Sequence, residues 1–176
     1  MNNSKTYFWS DLHLDHNKMY NLPFTSIHNP SKPMRPFETA QEADDYMIEQ
    51  YNKIVKPGDK VYFLGDIAMT KKGLSKMSLM QKGHNYLIMG NHDKQGPILD
   101  YAKYFNKIYG ALYLPKLRTI ATHIPIHESF VCDRFDWNIH GHLHDQTLTK
   151  VCYINVSVEI TEFKPLTFEE ALETCV

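Results

Sequence analysis

Apolar residues fall along this chain in short β-branched and aromatic runs that alternate, through its first half, with stretches of helical periodicity. "TYFWS" (6–10) predicts a first strand, "KVYFLGD" (60–66) a second that runs into a glycine turn, and "YLIMGNHD" (86–93) a third, again ending in glycine. "NLPFTSIHNPSKPMRPFE" (21–38) carries four prolines in a polar context and predicts an irregular loop. A helix follows. Thr39 and Glu42 have capping-box spacing, and Ala43, Tyr46, Met47, Gln50 and Ile54 recur at roughly helical intervals until "KPGD" stops them. In "KKGLSKMSLMQKG" (71–83), bounded by Gly73 and Gly83, Leu74, Met77 and Met80 mark the buried side of a short helix. "GPILDYAKYF" (96–105) predicts a helix with Pro97 suited to its first turn. Four further strands are expected in "KIYGALYLP" (107–115), "LRTIATH" (117–123), "WNIHGHLH" (137–144) and "VCYINVSVEI" (151–160). "LTFEEALETC" (166–175) closes the chain as a helix, with Thr167 and Glu170 in capping-box spacing.

Alternation of strand and helix favours a parallel sheet in the first half, and the second half is mostly strand. Neither an internal repeat nor a linker divides the chain, and its 176 residues suit a single domain over 1–176. With 43% hydrophobic and 22% charged residues, the composition is that of an ordinary globular protein. No run approaches the ~18 apolar residues of a membrane span, and "MNNSKTYFWS" lacks the apolar core of a signal peptide. Cys132, Cys152 and Cys175 are odd in number and far apart, which points to reduced thiols in a cytoplasmic protein without a membrane partner. The formal net charge of −1 gives no basic field to draw in long nucleic acid, but leaves a small nucleotide open as substrate. Histidine stands out: there are ten.

Those histidines collect, with carboxylates and an amide, where strands are expected to end. Asp11 and His13 follow the first strand, Asp66 the second, Asn91, His92 and Asp93 the third. His123 ends a fifth, and a sixth runs into His140, His142 and His144. Ligand sites in open α/β sheets form beyond the carboxyl ends of strands. In an extended segment residues two apart share a face, so Asp11 with His13, and His142 with His144, are expected to point the same way. Carboxylates, imidazoles and one amide oxygen suit divalent manganese, iron or zinc. Asp11, His13, Asp66, Asn91, His123, His142 and His144 make seven ligands, enough for two ions sharing a carboxylate. Two ions about 3.5–4 Å apart can lower the pKa of a bridging water towards ~7 and clamp phosphoryl oxygens.

The ordered set Asp-x-His, Gly-Asp, Gly-Asn-His-Asp, His and Gly-His-x-His resembles the calcineurin-like metallophosphoesterase superfamily. "RPFETAQEADDYMIEQYNKIVKPGDKVYFLGDIAM" and "INVSVEITEFKPLTFEEAL" are similar to its small capless members from bacteria and phages. The resemblance implies an α/β fold, a four-layer α/β/β/α sandwich of two mixed sheets flanked by helices. It assigns Asp11, His13 and His144 to one metal, Asn91, His123 and His142 to the other, and Asp66 to the bridge. His92 is then the catalytic residue, facing the phosphate as general acid or charge stabiliser. Asp93 fixes the turn. Two divalent ions are implied, manganese first, with iron, zinc or nickel as alternatives, and a metal-bridging hydroxide attacks phosphorus.

Singly, each motif is weak; a purely structural origin fails to explain their fixed order at successive strand ends. Three further side chains are candidate substrate contacts: His16, where surface placement is the alternative; His127, against a loop role; and Arg35, against a structural ion pair. His140 is expected to face into the sheet, His28 and His84 to lie on the surface, and Lys71, Lys72, Lys76 and Lys82 to form a solvated helix face. "DLHLDH" also looks like the signature of metallo-β-lactamase-fold hydrolases, which would give Asp15 and His16 to a metal. That signature needs histidine in place of Asp11, usually follows several strands, and leaves the later clusters without a role. A non-catalytic metal-binding scaffold would be expected to lack a ligand or His92, and none is missing. Protein serine/threonine phosphatases extend Gly-Asp to an arginine absent from "GDIAMTKKG". The function implied is therefore a phosphodiesterase or phosphatase on a small or exposed phosphoester, a nucleotide among them. A nuclease on short or single-stranded nucleic acid ends is the runner-up.

Overall fold

The structure, a computed structural model, describes residues 4–21, 25–26, 31–93, 97–131, 134–149 and 152–174. His28, Cys132 and Cys175 lie outside the described residues, as do parts of the proline-rich stretch. Two mixed sheets flanked by helices make up the fold. In the first, β1 (Thr6–Trp9), β2 (Lys60–Phe63), β3 (His84–Ile88) and β4 (Lys107–Tyr109) run parallel in the order β4-β3-β2-β1. An antiparallel strand, β9 (Leu166–Thr167), pairs with the other edge of β1. The second sheet has the order β5 (Leu112–Leu114), β6 (Thr119–Ala121), β7 (Trp137–His140), β8 (Tyr153–Asn155), of which β5 alone is antiparallel to its neighbour.

Side-chain alternation explains why the first three strands read as continuous apolar runs. Tyr7, Trp9, Val61, Phe63 and Leu87 point to one side of the sheet, into a core with Met47, Tyr51, Leu74, Met77 and Met80. Phe8, Leu64 and Ile88 point to the other, into a core between the sheets with Ala121, Ile139 and Ile154. Strands buried on both faces lose the apolar–polar alternation of a half-exposed sheet. The helical side of the first core comes from α2 (Ala40–Ile54) and α3 (Lys71–Ser75), the latter extended by a 3-10 turn over Lys76–Leu79. Between β1 and α2 lies the single turn α1 (Lys18–Asn21). Thr39 caps α2, its Oγ1 accepting from the Glu42 N–H at 3.1 Å, but the Glu42 carboxylate takes the N–H of Glu38, so the box is not reciprocal. The box at Thr167 and Glu170, opening α5 (Phe168–Glu173), closes in both directions.

Several expectations give way. "KIYGALYLP" is not one strand: β4 and β5 belong to different sheets, and the chain crosses between them at Gly110 and Ala111. Ile108, Tyr109, Leu112 and Leu114 are all half-buried, so the run carries no mark of the break. The helix expected over 96–105 shrinks to α4 (Ile98–Tyr101), with Pro97 at its N-cap. Strand β9, two residues long, pairs within a segment whose composition reads as helix start. No helix among the described residues is long and apolar enough to cross a membrane.

Candidate metal centre

Beyond β1 and β2 the chain continues as two loops laced side by side. The N–H groups of Asp11, His13 and Leu14 donate to the carbonyls of Gly65, Asp66 and Ile67 at 3.1, 3.0 and 2.9 Å. Leu12 and Leu14 are fully buried, which leaves Asp11 and His13 on the opposite side. The pairing Asp-x-His was expected to be extended; instead every second residue adopts the left-handed region. Asp11, His13 and Asp15 have φ of 59°, 50° and 60°, and His142 and His144 repeat the device at 71° and 51°. Asp66 joins them at 53°. Two glycines allow the loops to close: a side chain at Gly90 would strike the Asp66 carboxylate, and one at Gly141 would strike Ser10 and Asp11.

Six of the seven sequence-expected ligands form two triads, Asp11–His13–His144 and Asp66–His123–His142, within each of which the ligand atoms all lie within 4.8 Å of one another. Asn91 joins the second triad through its Oδ1, 2.9 Å from His123 Nε2. Asp66 Oδ2 stands between the groups, 3.7 Å from His13 Nε2 and 3.4 Å from His123 Nε2. Ligands bonded at about 2.1 Å to one ion stand roughly 3–3.5 Å from each other, so these gaps are of coordinating size. Each ring is aimed by its other nitrogen or its backbone. His123 Nδ1 donates to the Leu64 carbonyl at 2.7 Å, and His13 Nδ1 lies 3.4 Å from the Met69 sulfur. His142 Nδ1 lies 3.2 Å from His123 Nε2, while its backbone N–H donates to Asp11 Oδ2 at 2.8 Å.

A cation fits this donor set. Asp11 Oδ2 accepts from the His142 N–H and from the Ser157 hydroxyl at 2.9 Å, but its Oδ1 is buried without a hydrogen-bond partner. His13 Nε2 is equally buried and equally unpartnered, which is costly in a protein interior unless something else satisfies the atom. All donors are nitrogen or oxygen, the set that suits divalent first-row ions. Burial raises Asp11 above the ordinary carboxylate range and, helped by the Arg35 charge, holds His13 well below the usual imidazole value. His123 behaves oppositely: burial lowers it, yet its hydrogen bond to Asp66 and the charges of Asp11 and Asp66 hold it up to about 9. Protons on imidazole thus supply the positive charge that these carboxylates require.

The other expected residues separate. His92 stands at the rim, its side chain 36% exposed, with Nε2 3.9 Å from Asp66 Oδ2, and its backbone N–H donates to Asp66 Oδ1 at 2.9 Å. His16 lies beside His13, ring centroids 5.5 Å apart. Asp93 accepts from the N–H groups of Asp66, Ile67 and Gly90 at 2.8, 2.9 and 2.8 Å, and so shapes the loop. Arg35 is no phosphate contact here: it is 2% exposed and turned inward onto Glu159 and the Asp11 and Leu12 carbonyls. His127 is likewise diverted, its Nδ1 accepting from the Ser129 N–H to cap a turn. Asp15 accepts from the Thr70 hydroxyl at 2.6 Å and belongs to neither triad. His140 is buried in the sheet, where burial lowers it to about 4, and His84 is exposed. Lys71, Lys72 and Lys82 are exposed, while Lys76 is half-buried against Asp44 at 2.7 Å. Ser157 and Glu159 were not anticipated. The polar alternation of Asn155, Ser157 and Glu159 inside "YINVSVEI" was the available signal. A separate cleft of 760 Å³ opens at the other end of the sheets among Phe8, Tyr62 and Phe168, and among the described residues no metal-ligand cluster lines it.

Two imidazole–carboxylate triads at the strand ends of a two-sheet sandwich make the chain a candidate metal-binding protein of the α/β class. More narrowly, the chain belongs to the calcineurin-like phosphoesterase family, whose profile matches residues 4–173. It is similar to the uncharacterized protein MJ1445 of Methanocaldococcus jannaschii, 27% identical over 179 residues that cover 96% of this chain and 90% of that protein. The crystal structure of AQ665, a protein of unknown function from Aquifex aeolicus, shares the fold with a TM-score of 0.73 at 24% identity, covering 99% of this chain and 100% of that one.

Proposed function

We propose that the protein is a dinuclear-metal-dependent phosphodiesterase or phosphatase acting on a small or exposed phosphoester, nucleotides included. The observation that carries this is Asp66 Oδ2, placed between two ligand groups with an unpartnered oxygen of Asp11 and an unpartnered nitrogen of His13 beside it. Asp11, His13 and His144 would hold one ion, Asn91, His123 and His142 the other, and Asp66 both. A pair of divalent ions there would supply an activated water and neutralise charge on the phosphoryl oxygens.

The chain's own groups do the rest. His92 donates its backbone N–H to Asp66, which anchors its backbone beside that carboxylate, and its ring Nε2 lies 3.9 Å from Asp66 Oδ2. From there it donates a proton to the departing oxygen, or stabilises its charge. His16, whose ring also lies beside that of His13, orients a phosphoryl oxygen. A small substrate is favoured because the lysines near the site already face carboxylates: Lys72 with Asp15, Lys76 with Asp44 and Lys71 with Asp100. Carboxylate and amide oxygens among the ligands favour manganese, and the free thiol of Cys152 suits a cytoplasmic setting.

The test is hydrolysis of bis-p-nitrophenyl phosphate, p-nitrophenyl phosphate and 2′,3′-cyclic nucleotides by chelator-stripped protein given manganese, nickel or zinc. Metal-dependent turnover of at least one of them is expected. Protein that binds two ions and hydrolyses none of them overturns the proposal.

A further inference from the structure

Glu159 belongs to neither triad, yet it touches one of them from both sides. Its side chain is 2% exposed. Its Oε1 lies 3.1 Å from His144 Nδ1 and accepts from Arg35 Nε at 2.8 Å. Arg35 in turn donates to the Asp11 carbonyl at 2.6 Å and to the Leu12 carbonyl at 2.9 Å. One carboxylate is therefore linked directly to His144 and, through a single guanidinium, to the backbone of Asp11. The second triad is braced by other groups: the Leu64 carbonyl on His123, Asp93 on the Asp66 backbone, and Asp11 Oδ2 on the His142 N–H.

We propose that Glu159, acting with Arg35, is the positioning residue of the Asp11–His13–His144 metal position. This rests on the triads being metal groups, as argued above. An acceptor at Nδ1 keeps the proton there, so His144 presents Nε2 to the ion, and a carboxylate acceptor raises the basicity of that nitrogen. Asp11 sits in the left-handed region at φ 59°, a conformation that persists only when neighbouring groups hold it. Arg35 holds it by grasping two successive carbonyls with charge-assisted hydrogen bonds. Glu159 and Arg35 touch His144 and the Asp11 and Leu12 carbonyls directly, and reach the second triad only through the Asp11 carboxylate on the His142 N–H, so the first position should feel their loss more than the second.

Titration of chelator-stripped full-length protein with manganese, read by calorimetry, tests this without any assay of turnover. Wild type takes up two ions; Glu159→Gln, which keeps shape but removes the charge, weakens one by roughly 10- to 100-fold and the other by far less. Equal weakening of both ions, or of neither, overturns the proposal. Should the variant fail to fold, nitrogen-15 spectra of the wild-type histidines with zinc decide the matter: protonated Nδ1 and coordinated Nε2 on His144 are expected, and the reverse refutes the role. A wild type that takes up no pair of ions defeats the dinuclear reading instead, a result distinct from either.

Discussion

Of nine non-glycine residues with positive φ among the described ones, Asp11, His13, Asp66, His142 and His144 are also proposed ligands. Such a conformation costs about 1–3 kcal/mol per residue, so the overlap marks where the fold gives up stability to aim side chains. Roles divide accordingly. Asp66→Asn should lose metal, since the shared oxygen carries the charge both positions need, whereas His92→Ala should keep two ions and lose about 100- to 10,000-fold in turnover. Metal analysis of the two purified variants separates them; equal metal loss would contradict the division. Asp15→Ala, whose carboxylate faces Thr70, should leave metal content unchanged. The pH dependence follows from His123, held up to about 9 without metal against 6.5 ordinarily. A pKa raised by folding contributes stability that is complete below 6.5 and lost as pH rises through about 9. Metal must displace that proton, so affinity should rise about tenfold per unit over the same span. Chelator competition and melting of metal-free protein at several pH values should therefore show opposite slopes. The seven ligand types were legible as spaced clusters of His, Asp and Asn. Their backbone was not, because nothing in "DLH" or "HLH" distinguishes an extended segment from alternate left-handed residues. Ser157 and Glu159 were hidden for a related reason: two polar residues in an apolar run carry no sign of what they face.

At the scale of elements, what could be read was decided by burial. Strands β1 to β3 and helix α2 were legible because each is long enough, or apolar enough on both faces, for periodicity and caps to agree. Strand β9 and the crossing at Gly110 and Ala111 were not, since two-residue pairings and a change of sheet are set by tertiary contacts. Capping offers a direct check. Thr167 closes a reciprocal box with Glu170, whereas Thr39 caps α2 by a single bond while Glu42 reaches back to Glu38. Thr167→Ala removes the hydroxyl that accepts from the Glu170 N–H, keeps the backbone N–H arm to the Glu170 carboxylate, and should cost about 1 kcal/mol, read as a lower urea midpoint with an unchanged slope. A loss well under half of that would mean that α5 is held by the remaining arm and by the packing of Phe168 and Ala171.

Each triad draws on both sheets. Asp11 and His13 leave the first and His144 the second; Asp66 and Asn91 leave the first, His123 and His142 the second. Ions at these positions would therefore tie the two sheets together at one end, while the apolar core around Phe8 holds them elsewhere. Metal bound there would then stabilise the folded chain without being required for it. An ion at about 100 times its dissociation constant adds about 2.7 kcal/mol. Two ions give about 5.4 kcal/mol, which for a chain of this length is roughly 10–20 °C in melting temperature. Chelation should lower the midpoint by about that amount and leave a single cooperative transition with unchanged far-ultraviolet circular dichroism. Complete unfolding on chelation would instead make the metal centre part of the core, and the buried cluster around Phe8 would then be too small to hold the sheets without it.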